Sequence, residues 1–485
     1  MKILLAGYNV DYDLIRELKK KSAFTQDITP ETISAAYARI SRSPKSVNEL
    51  RADALTEVDK ARKSNRNIVF EMGHSSVAEH AVFNIDVIGV SRLLTEEIEK
   101  FRLCSYTEKS QRYVLFDKDF VVPEEIAEAG LTDLFVSTIT MQNDFYHQLY
   151  EQLRSYVFKQ NEALAKNPAN KSMLEGWAKE DARYAIALAT ETQLGMTINA
   201  RNLELMLRRL SALPLSEARL YSEKLYGATK DVAPSLIRYT EATDHDRLTR
   251  RNLRKFCESY VEKKKNLPPR AVRLVWAMPD ADTQAAAALI FTSTGLSYDQ
   301  CLKQAGQMSL RDARILFQTV FENAQAYDAA LRELENVDML FELVVSASCF
   351  AQLKRHRMAT IVSQDYDPVL GVTVPPSVRA IGRQKEFMAL IKKTNSVYEE
   401  IKLKNPGAAA YVLTNAHRKR VLMKLNAREL YHLSRLRADA HAQWDIRQLA
   451  DRMLKEARKV MPRTLMMACG KDGFAKLRKK VFPGT

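Results

Sequence analysis

The 485-residue chain has five cysteines, Cys104, Cys257, Cys301, Cys349 and Cys469, scattered and without a CxxC pair. That scatter argues against a disulfide framework and a zinc site, and it fits a reducing, cytoplasmic compartment. His74 and His80 stand six positions apart, which suits neither one helix face nor a short zinc loop, so no metal centre is expected. No uninterrupted apolar stretch of about 18 residues is present, which argues against a membrane span. The first residues, MKILLAGYNVDYDLIREL, carry one lysine, a short apolar run and then acidic residues. They read as a first core strand rather than a signal peptide. The lysine runs at 19–21 and 263–265 lack interleaved aromatics. The formal net charge of +15 therefore fits either an anionic partner, phosphate-bearing small molecules rather than a nucleic acid, or simply a solvated basic surface.

What is present is enough apolar sequence for a sizeable core, 46% against 27% charged, and a length that suggests more than one domain. The chain also repeats itself. Residues 199–210 read NARNLELMLRRL and residues 426–437 read NARELYHLSRLR. Before each triplet an alternating run (Leu194, Met196, Ile198; Val421, Met423, Leu425) predicts a strand, and after it the apolar spacing becomes helical. An Asn and an Arg at a strand-to-helix junction sit where unpaired backbone N–H groups favour an anion, although an N-cap Asn with a surface Arg is the commoner reason for such a triplet.

A second pair lies upstream. KFRLCSYTEKSQRY at 100–113 and RHRMATIVSQDY at 355–366 each follow an apolar strand-like run and a short helical stretch starting at Ser91 or Ser346. Each precedes a predicted strand ending in proline, FVVP at 120–123 and VTVP at 372–375, and then a long amphipathic helix. Arg102 to Asn199 is 97 positions and Arg357 to Asn426 is 69, so the first half carries an insertion of about 28 residues. The charged, proline-bearing stretch at 263–269 marks the boundary between domains at 1–265 and 270–485.

These segments resemble flavin-dependent thymidylate synthases, whose motif RHRxxSxNExSxR is preceded by GHxSxxEH and followed by NAR and LRxDxHAQWEIR. GHSSVAEH stands here at 73–80, and NARELYHLSRLRADAHAQWDIR at 426–447; ARIS at 38–41 is similar to an early ARVS of that family. The first half has Lys100-Phe101-Arg102 for RHR and Thr107 for the motif Asn, but keeps Ser105, Glu108, Ser110 and Arg112. Leu210 replaces its nucleotide-binding arginine. The second half keeps Gln352, Arg355, His356 and Arg357, yet has Asp365 for the motif Ser, Asp367 for the final Arg, and Ala410 where the first half has Arg183. Most of what one half loses, the other retains.

The resemblance implies an α+β fold of two tandem domains, each a mainly antiparallel sheet packed with helices. It also implies reductive methylation of dUMP to dTMP, with FAD as cofactor and methylenetetrahydrofolate and NADPH as co-substrates. Ser41, His74, Arg355, His356, Arg357, Asn426, Arg428, His432 and His441 then form the flavin-holding set. Gln352, Glu108, Ser110, Arg112, Arg183 and Arg437 form the substrate-binding set in a composite site drawing on both repeats. Arg437 and Ser110 are the expected catalytic pair. A fixed arginine stabilises negative charge on the uracil edge, and Ser110 orients the nucleotide rather than attacking it, because the local sequence places no base beside it. A homodimer acting as a pseudo-tetramer follows by analogy. Two other readings stay open: an FAD enzyme acting on a different pyrimidine nucleotide, and a non-catalytic nucleotide- or nucleic-acid-binding protein. The methionines Met453, Met461, Met466 and Met467 are expected to pack the core.

Overall fold

The computed structural model describes residues 1–18, 28–40, 43–112, 114–116, 119–261 and 269–483. The lysine run at 19–21, Ser41, and all of the 263–269 boundary segment except Pro269 lie outside them.

Among the described residues the chain forms two four-stranded antiparallel sheets built to one plan. Strands β1 (Lys2–Tyr8), β2 (Val82–Ser91), β3 (Ser105–Glu108) and β4 (Glu191–Asn199) pair in the order β1-β2-β4-β3. Strands β5 (Val272–Ala277), β6 (Asp338–Ser346), β7 (Thr360–Ser363) and β8 (Arg418–Asn426) pair as β5-β6-β8-β7. The edge strands β1 and β5 are even irregular at the same place, between Leu5 and Gly7 and between Leu274 and Trp276. The α+β class and its duplication are thus plain in the backbone.

Alternation explains which face of each sheet is covered. Phe83, Ile85 and Val87 of β2 and Leu194, Met196 and Ile198 of β4 are buried, while Asn84, Asp86, Gln193 and Thr197 point outward. In β8, Val421, Met423 and Leu425 are buried, and Leu422, the residue that breaks the alternation, is exposed. Beyond β4 the chain turns helical over Ala200–Ser211, burying Leu203, Met206, Leu207 and Leu210. Each such side chain contributes about 1.5–3 kcal/mol relative to exposure. Its counterpart Ala427–Arg437 follows β8. The short helices Arg92–Ile98 and Ala347–Leu353 start at Ser91 and Ser346, whose hydroxyls accept from the backbone N–H of Leu94 and Cys349.

One expectation fails. FVVP and VTVP do not form strands but make one bridge each, Phe120 with Thr190 and Val372 with His417. Their prolines start the helices Glu124–Glu128 and Pro376–Ala380 instead, where a missing N–H costs nothing. The methionines do pack the core: Met453, Met461 and Met467 are buried and Met466 packs against them.

Compactness divides the chain into residues 1–264 with 380–414, and 265–379 with 415–485. The first unit therefore includes the long helix Gln384–Lys404 of the second repeat. Gln142, on the 29-residue helix Thr132–Gln160, donates to Thr394 Oγ1 and to the Val412 carbonyl, both at 2.9 Å. The Leu188 N–H donates to the Leu413 carbonyl at 2.8 Å. The insertion of the first repeat is the extra length of Thr132–Gln160 together with the helix Lys171–Ala182 packed on it. Among the described residues no helix is long and apolar enough to cross a membrane, and no group of His, Cys, Asp or Glu is placed to hold a metal ion.

Candidate active-site residues

In the first unit, β3 ends on Glu108, which turns inward and pairs with Arg92 at the start of its helix. Both are nearly buried, and the hydroxyls of Thr95 and Thr192 lie 3.4 Å from the same carboxylate oxygen. Two residues on, Ser110 Oγ accepts from the Arg112 backbone N–H at 3.1 Å, a local turn that presents the Arg112 side chain. The Arg112 guanidinium reaches Glu180 at 3.3 Å. Glu180 lies in the last turn of the inserted helix, and its carbonyl accepts from Arg183 Nε at 3.2 Å.

Arg183 is fully enclosed, and burial lowers its pKa; Glu180 opposes that shift while Arg112 and Arg92 add to it. A guanidinium nevertheless stays charged. Glu108, Ser110, Arg112 and Arg183, all chosen from sequence, are thus brought together. Arg92 and Glu180 join them without having been anticipated. Guanidiniums of this kind, held by neighbouring carboxylates, are suited to an anion. Nearby, Tyr146 is pushed up to about 12 by burial, so it stays a neutral hydroxyl. His74 lies apart from this cluster in the sequence, exposed beside Gly73, whose φ of 75° needs a glycine.

In the second unit, His356 is buried between two partners. Arg437 Nε donates to its Nε2 at 3.2 Å, and Glu429 lies 3.0 Å from its Nδ1. Since Nε2 accepts, the ring proton sits on Nδ1 and is donated to Glu429. Burial lowers the pKa of His356 and the Arg437 charge adds to that, while Glu429 pulls it up, so the imidazole is neutral near pH 7. Arg437 Nη2 also donates to the Gln352 carbonyl at 3.3 Å. Asn426 caps the helix by accepting from the Glu429 N–H at 2.8 Å, which fixes the turn that carries Glu429. A relay thus runs from Asn426 through Glu429 and His356 to Arg437, and it holds the guanidinium in place.

The remaining expected residues divide. The His432 ring stands edge-on to His356 with centroids 5.7 Å apart, and its residue is exposed. Arg355 and Arg357 are exposed on the turn after the helix Ala347–Leu353. The His441 side chain is 91% exposed, with Nδ1 2.8 Å from Asp439. Gln352 Nε2 donates to Gln443 Oε1 at 3.4 Å, and Gln443 caps the helix Trp444–Arg458. Arg428 is committed elsewhere, to Glu335 at 2.8 Å and to the Ala330 carbonyl. Arg201 of the other triplet pairs likewise with Glu79, so the arginine of each Asn-Ala-Arg fastens its helix to the segment before β2 or β6. Glu429 went unassigned in the sequence, although its place three residues after an N-cap Asn was the available sign.

The thymidylate synthase complementing protein family model matches residues 24–235 and again 273–463. A UPF0159 protein of Chlamydia muridarum is 25% identical over 418 residues, covering 82% of this chain and 79% of its own. A UPF0159 protein of Thermoplasma acidophilum is 24% identical over 432 residues, covering 82% and 86%. The flavin-dependent thymidylate synthase of Clostridium tetani is 31% identical over 217 residues, 44% of this chain and 82% of that enzyme. Among solved structures, the Helicobacter pylori flavin-dependent thymidylate synthase with FAD and dUMP aligns over 50% of this chain and 100% of its own, at 16% identity and a TM-score of 0.33. Two family matches, one on each of two sheets with the same strand order, make this chain a tandem member of the flavin-dependent thymidylate synthase family.

Proposed function

We propose that the protein is a flavin-dependent thymidylate synthase working in the cytoplasm, converting dUMP to dTMP with methylenetetrahydrofolate as carbon donor and NADPH as reductant. The two repeats divide the labour. The observation that carries this reading is complementary loss: the Arg92, Glu108, Arg112, Glu180 and Arg183 cluster exists only in the first repeat, and the His356–Glu429–Arg437 relay only in the second.

Arg112 and Arg183 suit the nucleotide phosphate, with Ser110 as a neutral donor beside them. Glu108 holds Arg92 beside them. Arg437 suits the uracil edge, where a fixed positive charge raises electron density at C5 by stabilising negative charge on the ring. Gln352 helps to position Arg437 through its carbonyl. FAD fits the donor set of the second repeat: Arg355 and Arg357 are exposed guanidiniums suited to a pyrophosphate, and Asn426, His432 and His441 offer ring-edge contacts, with Ser41 and His74 as contributors from the first repeat. Arg428, already tied to Glu335, fits that set as a support. Bound FAD supplies hydride transfer to the one-carbon unit. By analogy with the family tetramer, the assembly is a homodimer of two-repeat chains.

A second reading, an FAD enzyme for another pyrimidine nucleotide, is favoured by Asp365 and Asp367, which put negative charge where the first repeat has Ser110 and Arg112. The test is tritium release from 5-labelled dUMP with folate and NADPH supplied, run in parallel with UMP and dCMP. Release from dUMP that is abolished by both Arg437→Ala and Arg112→Ala supports the shared reaction. Undiminished release from the Arg112 variant sinks the division of labour, and release from another nucleotide alone selects the second reading.

A further inference from the structure

The second unit carries a groove of about 650 Å³ remote in sequence from the RHR turn and the Asn-Ala-Arg helix. Arg311 and Arg314 line it from the helix Leu310–Phe321, Lys480 from the helix Phe474–Val481, and Arg463 from the loop that follows Trp444–Arg458. Its floor is apolar, with Met466 and Leu477 packed on the core.

Its walls are fastened together. Arg478 donates to the carbonyls of Ala324 and Glu322, and Gln318 Nε2 donates to the Val481 carbonyl at 2.8 Å. The groove is therefore preformed rather than assembled by a ligand. Of its four cations, Arg463 lies 3.5 Å from Asp282. Among the described residues, no carboxylate pairs with Arg311, Arg314 or Lys480. Like charges gathered over an apolar floor repel one another, and an anion with an apolar body would relieve that repulsion while covering the floor.

We propose that this groove is a binding site for a small anionic amphiphile, one anionic head group on an apolar body, separate from the proposed nucleotide and flavin residues. The Arg311, Arg314 and Lys480 side chains hold the head group, and Met466 and Leu477 take the body.

The test is calorimetric titration of the full chain with n-octyl phosphate below its micelle concentration, against n-octyl glucoside and inorganic phosphate. The expected result is one n-octyl phosphate per chain, with both controls weaker by about tenfold or more, as loss of a charge-assisted hydrogen bond or of the apolar contact implies. The double variant Arg311→Glu/Arg314→Glu should weaken n-octyl phosphate by about tenfold or more while leaving tritium release from dUMP and the melting temperature unchanged. Equal binding of n-octyl glucoside, equal binding of inorganic phosphate, or unchanged affinity in the double variant overturns the proposal. Because the readout is binding, failure here and failure of the proposed synthase activity are independent.

Discussion

The end of β3 and the turn after it carry Glu108, Ser110 and Arg112 in the first repeat; the end of β7 and its turn carry Ser363, Asp365 and Asp367 in the second. Counting back from the two N-cap asparagines, Glu180 and Arg183 correspond to Gly407 and Ala410. Arg92, just after the cap Ser91, corresponds to Ala347 after Ser346. The relay runs the other way: His356, Glu429 and Arg437 correspond to Phe101, Asn202 and Leu210. In each repeat, then, the ion-paired members of the other repeat's set are replaced by residues that make no such pair. A buried charge left without its partner costs more than losing both, which favours a repeat that keeps either the whole pair or none of it.

The largest effect that would sharpen this contrast is structural. Glu108→Ala strands the buried Arg92 and should cost about 3–5 kcal/mol in urea denaturation. Ser363→Ala at the matching place should stay within about 0.5 kcal/mol. Equal costs would break the asymmetry. Next comes catalysis: Arg437→Ala should lower tritium release about 10²–10³-fold, as losing a preorganised charge does. Leu210→Met at the corresponding helix position should leave the rate unchanged. If the Leu210 variant also collapses the rate, the relay is not confined to one repeat.

A third effect concerns pH. His356 is buried neutral, with its pKa below the ordinary 6.5, so the unfolded chain binds the proton more readily. Its contribution to stability is present above pH 6.5 and is lost as pH falls from there towards its lowered folded value. His356→Asn should flatten that part of the stability profile, measured by denaturation at several pH values. The first repeat has Phe101 here and no such titration. An unaltered profile in the variant would assign the acid sensitivity elsewhere.

The smallest contrast lies in the terminal helices. Leu477→Ser, which removes a side chain packed on the core, should cost about 1–2 kcal/mol. Phe256→Ser, where the side chain is exposed, should stay within about 0.5 kcal/mol by the same denaturation measurement.

Much of this was legible in the residues. The alternations before Asn199 and Asn426 are β4 and β8, and Ser91 and Ser346 start their helices as expected. Legibility ended where a partner lies far along the chain. Glu429 is 73 residues from His356, and Glu180 lies far from Arg112, so no local pattern joins them. The prolines of FVVP and VTVP misled because an alternating stretch of four residues forms a strand only if a neighbour pairs along its length. Here each finds a single bridge.

By itself, the sequence determined the repeat, the strand and helix periods, the caps and which half lost which motif residue. Each of these depends on neighbours within a few positions or on comparing one half with the other. Tertiary structure decided that both asparagines are caps, that Arg428 pairs with Glu335, and that Asn426, Glu429 and His356 form a line holding Arg437. It also decided that the first compact unit includes Gln384–Lys404 from the second repeat. The physical reason is common to all of these. Burial and hydrogen bonding are settled by what lies within a few ångströms, and residues that close are often far apart along the chain.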